Sequence, residues 1–303
     1  MKIRYSLKRL AAAVSLSLCA GLVAAPAPAQ QPVQTSQNGQ IVQDGISVKP
    51  LSRWRYLQPE EQVEQQSAMQ YQQLLQSANQ QGALYPANHP QVVRLRAIAQ
   101  RMIPYAPRWN ADATRWKWQV NLLNSKQVNA FCMPGGRIAF YYGILDKLKL
   151  TDDEIAAVMG HEVAHALREH GRERAGKAAA TGIASRLGGA VLSAWLGIDP
   201  NITGAATNAA GQMLVLKFSR DEEREADLIG LDLAARAGFD PRAGVTLWRK
   251  MNSLNQQQPL QLLSTHPGGQ ERITQIQNHM NVLLPLYARA KGVAPNQLPA
   301  AYR

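Results

Sequence analysis

Two histidines and a glutamate near the middle of the chain have the types and spacing of a hydrolytic metal site. They belong to the run His161-Glu162-Val163-Ala164-His165. Residues four apart on a helix lie on one face, so the two imidazoles can bind one ion while Glu162 lies beside an open coordination position. Zinc lowers the pKa of a water and polarises a carbonyl, and a nearby carboxylate can accept the water's proton. The run therefore predicts metal-dependent hydrolysis, with two histidine ligands and Glu162 as general base.

A third ligand has to come from elsewhere in the chain. The spacing that supplies it from the same segment would need Gly in place of Arg168 and His in place of Gly171, so that subclass of zinc peptidases is excluded. Downstream, Glu223 and Asp227 lie four residues apart in a strongly charged run. On a helix they share a face, so one carboxylate can bind the metal while the other accepts a hydrogen bond from a ligand imidazole. Taken alone, this run would suggest an exposed charged helix.

The elements that position these residues are mainly helical. Thr151 and Glu154 have the spacing of a capping box that starts the helix of the metal motif, and Gly171 is a residue type that ends helices. Apolar spacing predicts further helices over residues 60–80, 92–103, 220–237, 241–254 and 270–284. Alternation over residues 116–122 and the run 138–142 predict strands. The predicted fold class is α+β, mainly helical, with a small β-sheet.

The first residues have the pattern of a cleavable export signal. A basic region at residues 2–9 precedes an apolar run at residues 10–23, and Ala27-Pro28-Ala29 is a small-x-small cleavage site. This pattern predicts a periplasmic location, with an uncleaved anchor helix as the alternative. The predicted organisation is a signal peptide at 1–29, a flexible lead-in at 30–58, a zinc metallopeptidase domain at 59–291 and a C-terminal tail at 292–303.

Four segments of the sequence together match a known family. They are the helix over residues 152–171, Glu223-x-x-Ala226-Asp227, Asn129-Ala130-Phe131 with Pro134-Gly135-Gly136, and Thr265-His266-Pro267 before Arg272. In these segments the chain resembles the HtpX-like and prenyl-protease-like zinc metallopeptidases, especially their soluble periplasmic BepA-like members. The resemblance covers roughly residues 90–285 and implies a zincin-type domain with one zinc ion per subunit.

The resemblance also implies roles for individual residues. His161 and His165 would be metal ligands, Glu223 the third ligand and Asp227 its support. The segment Asn129, Ala130 and Phe131 would be an edge strand with which a peptide substrate pairs as an added strand. His266 would act at the metal centre. It would serve either as a latch that occupies the open position or as a donor to the tetrahedral intermediate.

The predicted function is a zinc-dependent endopeptidase of the cell envelope that cleaves misfolded or envelope proteins, outer-membrane proteins among them. A periplasmic chaperone or assembly factor with a latent metal centre is the alternative. The presence of Glu162 favours catalysis, because a module that only binds peptides has no use for a general base. The sequence does not define the oligomeric state.

Charge and the remaining histidines add little chemistry. The formal net charge is +12, with a basic cluster just after the metal motif. It would favour peripheral contact with an anionic membrane surface, although a solvated basic face is the simpler interpretation. The sequence contains no nucleic-acid-binding motif. We interpret His170 and His279 as polar helix residues and His89 as a turn residue, and the Ala/Gly-rich segment 178–217 as packed or lid-like helices.

Overall fold

The structure, a computed structural model, describes residues 44–180, 218–257 and 259–300. All of them belong to one unit, Asp44–Arg303. The predicted signal peptide, the start of the lead-in, most of the Ala/Gly-rich segment and the end of the predicted tail lie outside the described residues. Within the described ranges, none of the helices combines the length and the apolar character that a membrane crossing requires.

Helices dominate the described residues, and they enclose one small sheet. The helices are α1 (Glu60–Gln80), α2 (Pro90–Met102), α3 (Tyr142–Leu148), α4 (Asp152–Leu167), α5 (His170–Ala180), α6 (Arg220–Arg236), α7 (Ala243–Gln257), α8 (Gln261–Thr265), α9 (Gln270–Asn278) and α10 (Met280–Lys291). The strands are β1 (Gln119–Leu123), β2 (Ala130–Met133) and β3 (Arg137–Tyr141). The central strand, β3, runs parallel to β1 and antiparallel to β2. This architecture confirms the predicted fold class and makes β2 an edge strand.

The first strand begins later than the alternation of apolar residues predicted. Trp116 and Trp118 precede β1 and pack against each other, with ring centroids 5.3 Å apart. The indole Nε1 of Trp118 donates a hydrogen bond to the Ala113 carbonyl at 3.1 Å. These contacts hold both tryptophans outside the ladder between β1 and β3.

The helix that carries the metal motif, α4, begins as predicted but ends early. Thr151 and Glu154 form both hydrogen bonds of a capping box. All residues of α4 from Glu154 to Leu167 are buried, as expected for a helix at the centre of a domain. The predicted stop at Gly171 is wrong. The helix ends at Leu167, and Glu169 adopts a left-handed conformation (φ 54°) before α5 begins.

A pair of glycines sets the distance between α4 and α6. A Cβ atom added at Gly160 would lie 2.4 Å from the carbonyl oxygen of Gly230, and one at Gly230 would lie 2.5 Å from the backbone of α4. Only residues without side chains allow the two backbones to approach so closely. The crossing places the first turns of α6 beside the metal motif.

Gly160→Ala is therefore expected to lower the free energy of unfolding by roughly 2–3 kcal/mol, because the added methyl group overpacks a backbone contact. Gly82→Ala is the matched control. A Cβ at Gly82 would meet nothing within 4 Å, and only its φ of 64° opposes the change, at about 1 kcal/mol. Urea unfolding of the two variants measures the difference. Equal stability would contradict a tight crossing at Gly160.

The segment just before α1, predicted as part of the flexible lead-in, contacts the rest of the unit. Ile46 is buried in the core, and its amide donates to Asp232 Oδ2 at 3.0 Å. Asp44 pairs with three arginines, Arg108, Arg236 and Arg289. A single buried isoleucine among polar residues has no periodicity, so these contacts could not be predicted from the pattern of apolar residues. The remaining domain boundaries stay predictions.

Candidate metal centre

Three elements bring the candidate ligands together. The side chains of His161, Glu162 and His165 come from α4, Glu223 comes from the first turn of α6, and His266 follows α8. One potential ligand atom from each of the three histidines and from Glu223 lies within 4.8 Å of every other. All four side chains are buried, although His266 is about 100 positions away from α4 in the sequence.

The distances define a compact cluster of three imidazoles and one carboxylate. The Nε2 atoms of His161 and His165 lie 3.1 Å apart, and they lie 3.6 and 3.5 Å from the carboxylate oxygens of Glu223. His266 faces the same point through Nδ1, which lies 2.9 Å from Glu223 Oε1 and 3.2 Å from His161 Nε2. Nitrogen and carboxylate ligands in a small tetrahedral set are those that Zn²⁺ prefers, so the residues present fit this ion.

Glu162 lies against the cluster without belonging to it. Its side chain is 3% exposed, and its Oε1 atom has no hydrogen-bond partner among the described residues. The Nε2 atom of His266 lies 3.9 Å from this oxygen. Burial raises the pKa of the Glu162 carboxyl above its ordinary value, while the neighbouring His266 and His161 act in the opposite direction. A buried carboxylate oxygen without a hydrogen-bond partner is costly, so Oε1 of Glu162 is a candidate for contact with a reacting group.

Asp227 and Arg272 hold the imidazole of His161 in place. The Nδ1 atom of His161 lies 3.0 Å from Asp227 Oδ1, an arrangement that fixes its tautomer and ring orientation. Arg272 donates to both oxygens of Asp227, at 2.6 and 2.5 Å, and also pairs with Glu223. Burial alone would raise the pKa of Asp227, but the charge of Arg272 lowers it below its ordinary value.

Arg272 is a site residue whose role was not predicted from the sequence. It is 4% exposed, and its guanidinium group lies 3.7 Å from the ring centroid of Trp248. Its positive charge partly offsets the two buried carboxylates, Glu223 and Asp227, and so lowers the cost of burying them. Its position six residues after His266 is part of the family resemblance, but a motif match does not show which side chains an arginine contacts.

Phe218, which was also not predicted as a site residue, covers one side of the cluster. Its ring lies 3.9 Å from that of His165 and 4.9 Å from that of His266, measured between centroids. The Phe218 amide donates to the Thr265 carbonyl at 3.0 Å. Phe218 therefore links the start of α6 to the loop that carries His266, in surroundings from which water is largely excluded.

The predicted edge-strand residues Asn129, Ala130 and Phe131 lie beside the cluster. Together with Glu162 and His266 they line a small cleft between β2 and the metal centre. The Asn129 side chain accepts a hydrogen bond from the amide of Ala130 at 3.0 Å, and its carbonyl accepts one from Tyr141. The sheet order leaves β2 at the edge, so this side of the cleft is an extended backbone segment.

The remaining histidines divide into two groups. His89 accepts a hydrogen bond from the Gln91 amide at the start of α2, in line with its interpretation as a turn residue. His279 lies between α9 and α10 and donates a hydrogen bond to the Gln275 carbonyl of α9. His170 is the first residue of α5, in line with its interpretation as a polar helix residue, but it is buried beside a candidate ligand. It is 3% exposed, and its Nδ1 atom lies 2.9 Å from that of His165.

Fold and site together define a zincin-type metallopeptidase domain. The family described as Peptidase family M48 matches residues 64–280, and the chain belongs to it. This confirms the resemblance seen in the motifs. The metal of the family is zinc, and the buried cluster of three histidines and Glu223 is able to bind a metal ion.

Three relatives illustrate the similarity. Mitochondrial metalloendopeptidase OMA1 of Arabidopsis thaliana is 40% identical over 157 residues, which cover 51% of this chain and 30% of that protein. Metalloprotease LoiP of Escherichia coli (strain K12) is 29% identical over 210 residues, or 69% of this chain and 78% of LoiP. The beta-barrel assembly-enhancing protease of the same strain is 25% identical over 204 residues, or 65% and 40%. The chain thus spans between 30% and 57% of three OMA1 relatives that it matches.

Proposed function

We propose that this protein is a zinc-dependent endopeptidase of the cell envelope. The observation that carries the proposal is the buried, unpartnered Oε1 of Glu162 beside three imidazoles and Glu223. In this proposal His161, His165 and Glu223 hold the metal, one ion per subunit. A binding site alone would not need a free buried carboxylate next to its metal ligands, whereas a hydrolase needs a base there.

The residues of the chain divide the work of peptide hydrolysis. Zinc, when bound, acts as a Lewis acid that polarises the scissile carbonyl and makes a water more acidic. Glu162 accepts the proton of the attacking water and delivers it to the leaving amine. Asp227 keeps the Nε2 lone pair of His161 directed at the ligand cluster, and Arg272 offsets the negative charge of Asp227 and Glu223.

The edge of β2 supplies the binding surface for the substrate. An extended peptide that pairs with Asn129, Ala130 and Phe131 would run past Glu162 and the ligand cluster, because these residues line the same cleft. Main-chain hydrogen bonds of this kind bind many sequences with similar affinity. The proposed enzyme therefore accepts polypeptides by backbone conformation, as suits a protease of misfolded chains.

The envelope assignment rests on the sequence and on the names of relatives. The signal pattern of residues 1–29 favours export to the periplasm, and one relative is named for beta-barrel assembly. We accordingly propose envelope proteins, outer-membrane proteins among them, as substrates. Without the four positive charges of residues 1–29 the chain still carries a formal net charge of 12 − 4 = +8, which supports peripheral contact with an anionic membrane surface. Nucleic acid is no part of the proposal.

The decisive experiment is cleavage of an unfolded polypeptide by the purified protein. Casein should be degraded, a chelator should stop the reaction, and stoichiometric zinc should restore it. If the zinc-loaded protein binds casein without cleaving it under any of these conditions, the assembly-factor alternative holds and the endopeptidase assignment fails.

His266→Ala is expected to raise the basal rate of casein cleavage, because the imidazole that competes for the open position is removed. The observation behind this latch is the approach of His266 Nδ1 to Glu223 and His161, within 2.9 and 3.2 Å. Zinc should remain bound through the other three ligands. A transition-state donor would instead give a fall in kcat of roughly 10²-fold or more. The control is His279→Ala, at a histidine remote from the cluster in the fold, which should leave the rate unchanged.

A further inference from the structure

The second metal-binding histidine, His165, has a partner behind it that differs in kind from that of His161. Its Nε2 atom faces His161 and Glu223, so its Nδ1 atom points away from the cluster. There it meets the Nδ1 atom of His170 at 2.9 Å. His161 has the carboxylate of Asp227 in the equivalent place. A ligand imidazole backed by a second imidazole is the feature that calls for an explanation.

The tautomer that a histidine must adopt to bind zinc determines the direction of the hydrogen bond between His165 and His170. A neutral imidazole carries one N–H. If His165 offers the Nε2 lone pair to the metal, its proton is on Nδ1 and must be donated. His170 must then accept through its own Nδ1 and carry its proton on Nε2. That nitrogen points towards Glu225, whose Oε2 atom lies 3.9 Å away.

Glu225, on the far side of His170 from the cluster, is itself held by other residues. Glu225 pairs with Arg168, and Arg168 donates to the carbonyl of Lys49 at 2.5 Å. His170 and Arg168 are 3% and 8% exposed. The contacts therefore lead from His165 through His170 to the ion pair of Glu225 and Arg168. Arg168 is in turn hydrogen-bonded to the segment before α1.

The backbone bends in order to bring His170 to this position. On a continuous helix, a residue five positions after His165 would lie about 140° away around the axis, out of reach of its Nδ1 atom. The left-handed conformation of Glu169 breaks the helix and turns His170 back towards α4. Such a conformation is strained for a residue other than Gly. Ion pairs of Glu169 with Arg55 (2.6 Å) and Arg172 (2.7 Å) hold it in place.

We infer that His170 is a positioning residue for the metal centre: by accepting a hydrogen bond from Nδ1 of His165, it fixes the tautomer and orientation of that ligand. The inference rests on the proposed metal site, but not on the identity of the substrate. A strained backbone held by two ion pairs, together with a buried hydrogen bond to a ligand, distinguishes His170 from a histidine that merely fills the core.

Two substitutions separate positioning from packing. His170→Phe keeps a planar ring but removes the acceptor, so the Nδ1 proton of His165 is left without a partner. His170→Asn places its Oδ1 atom where the imidazole Nδ1 was and keeps the acceptor. Zinc affinity, measured by competition with a chromophoric chelator, should weaken about 10- to 100-fold in the Phe variant and recover most of that loss in the Asn variant. His279→Phe serves as the control and should match the unaltered protein.

A measurement on the unaltered protein keeps the test independent of whether a variant folds. Long-range ¹H–¹⁵N spectra of the zinc-loaded chain should show His165 protonated at Nδ1 and His170 protonated at Nε2. A His170 proton on Nδ1 would overturn the inference. So would equal zinc affinity of the Phe variant and the unaltered protein, or an Asn variant as weak as the Phe variant. A chain that binds no zinc would instead remove the proposed function itself, and this inference with it.

Discussion

Glu162→Gln is expected to reduce casein cleavage by at least about 10²- to 10⁴-fold, the contribution of a general base, while the protein still binds one zinc ion per chain. The amide has nearly the shape of the carboxylate and can still accept a hydrogen bond, but it cannot accept the proton of the attacking water. Glu162 is not among the four residues whose ligand atoms converge, so the metal should stay.

The matched control is Glu154→Gln, on the same helix. Glu154 is buried to the same degree as Glu162, at 3% exposure, but it accepts from the Thr151 amide and pairs with Lys250. Its substitution should lower stability without a specific loss of turnover. Atomic absorption gives the zinc content and labelled casein gives the rate. Loss of zinc from the Glu162 variant, or turnover close to that of the unaltered protein, would exclude Glu162 as the base.

The features that the sequence predicted are those set by local spacing. The capping box of α4 depends on two residues three positions apart, and the face shared by His161 and His165 depends on helical periodicity alone. Both follow from the residue types without knowledge of the tertiary structure. The pairing of Glu223 with Asp227 on one face of α6 is of the same kind. These spacings within each helix do not determine the distance between α4 and α6.

What the sequence could not predict depends on contacts between distant segments. Gly160 and Gly230 bring α4 and α6 together, yet each looks like an ordinary helix-weakening glycine when taken alone. Glu169, rather than Gly171, adopts the left-handed conformation because ion pairs with the distant Arg55 and with Arg172 of α5 hold it there. Arg272 acquires its role only when the two carboxylates of α6 are brought beside it. Tertiary packing determines these three features, and it overrides the local conformational propensity of each residue.

Glu223→Gln is expected to weaken zinc binding by more than about 10²-fold, a larger loss than removal of a supporting residue gives. Glu223 is 1% exposed, and its oxygens lie 2.9 to 3.6 Å from the ring nitrogens of the three cluster histidines. The substitution removes the negative charge that attracts the cation. It also leaves Arg272, which pairs with Glu223, as a positive charge beside the site. Zinc affinity by chelator competition measures the effect.

Glu222→Gln is the matched control, one position earlier on the same helix turn. Glu222 completes the capping box of α6 by accepting from the Ser219 amide at 2.7 Å. Its neutralisation should therefore cost about 1 kcal/mol of stability at most and leave zinc affinity unchanged. Equal losses of affinity in the two variants would mean that charge on α6, rather than one ligand, attracts the metal. A crystal structure with zinc gives the final discrimination: a ligand oxygen at about 2.0 to 2.2 Å that belonged to any carboxylate other than Glu223 would contradict this assignment.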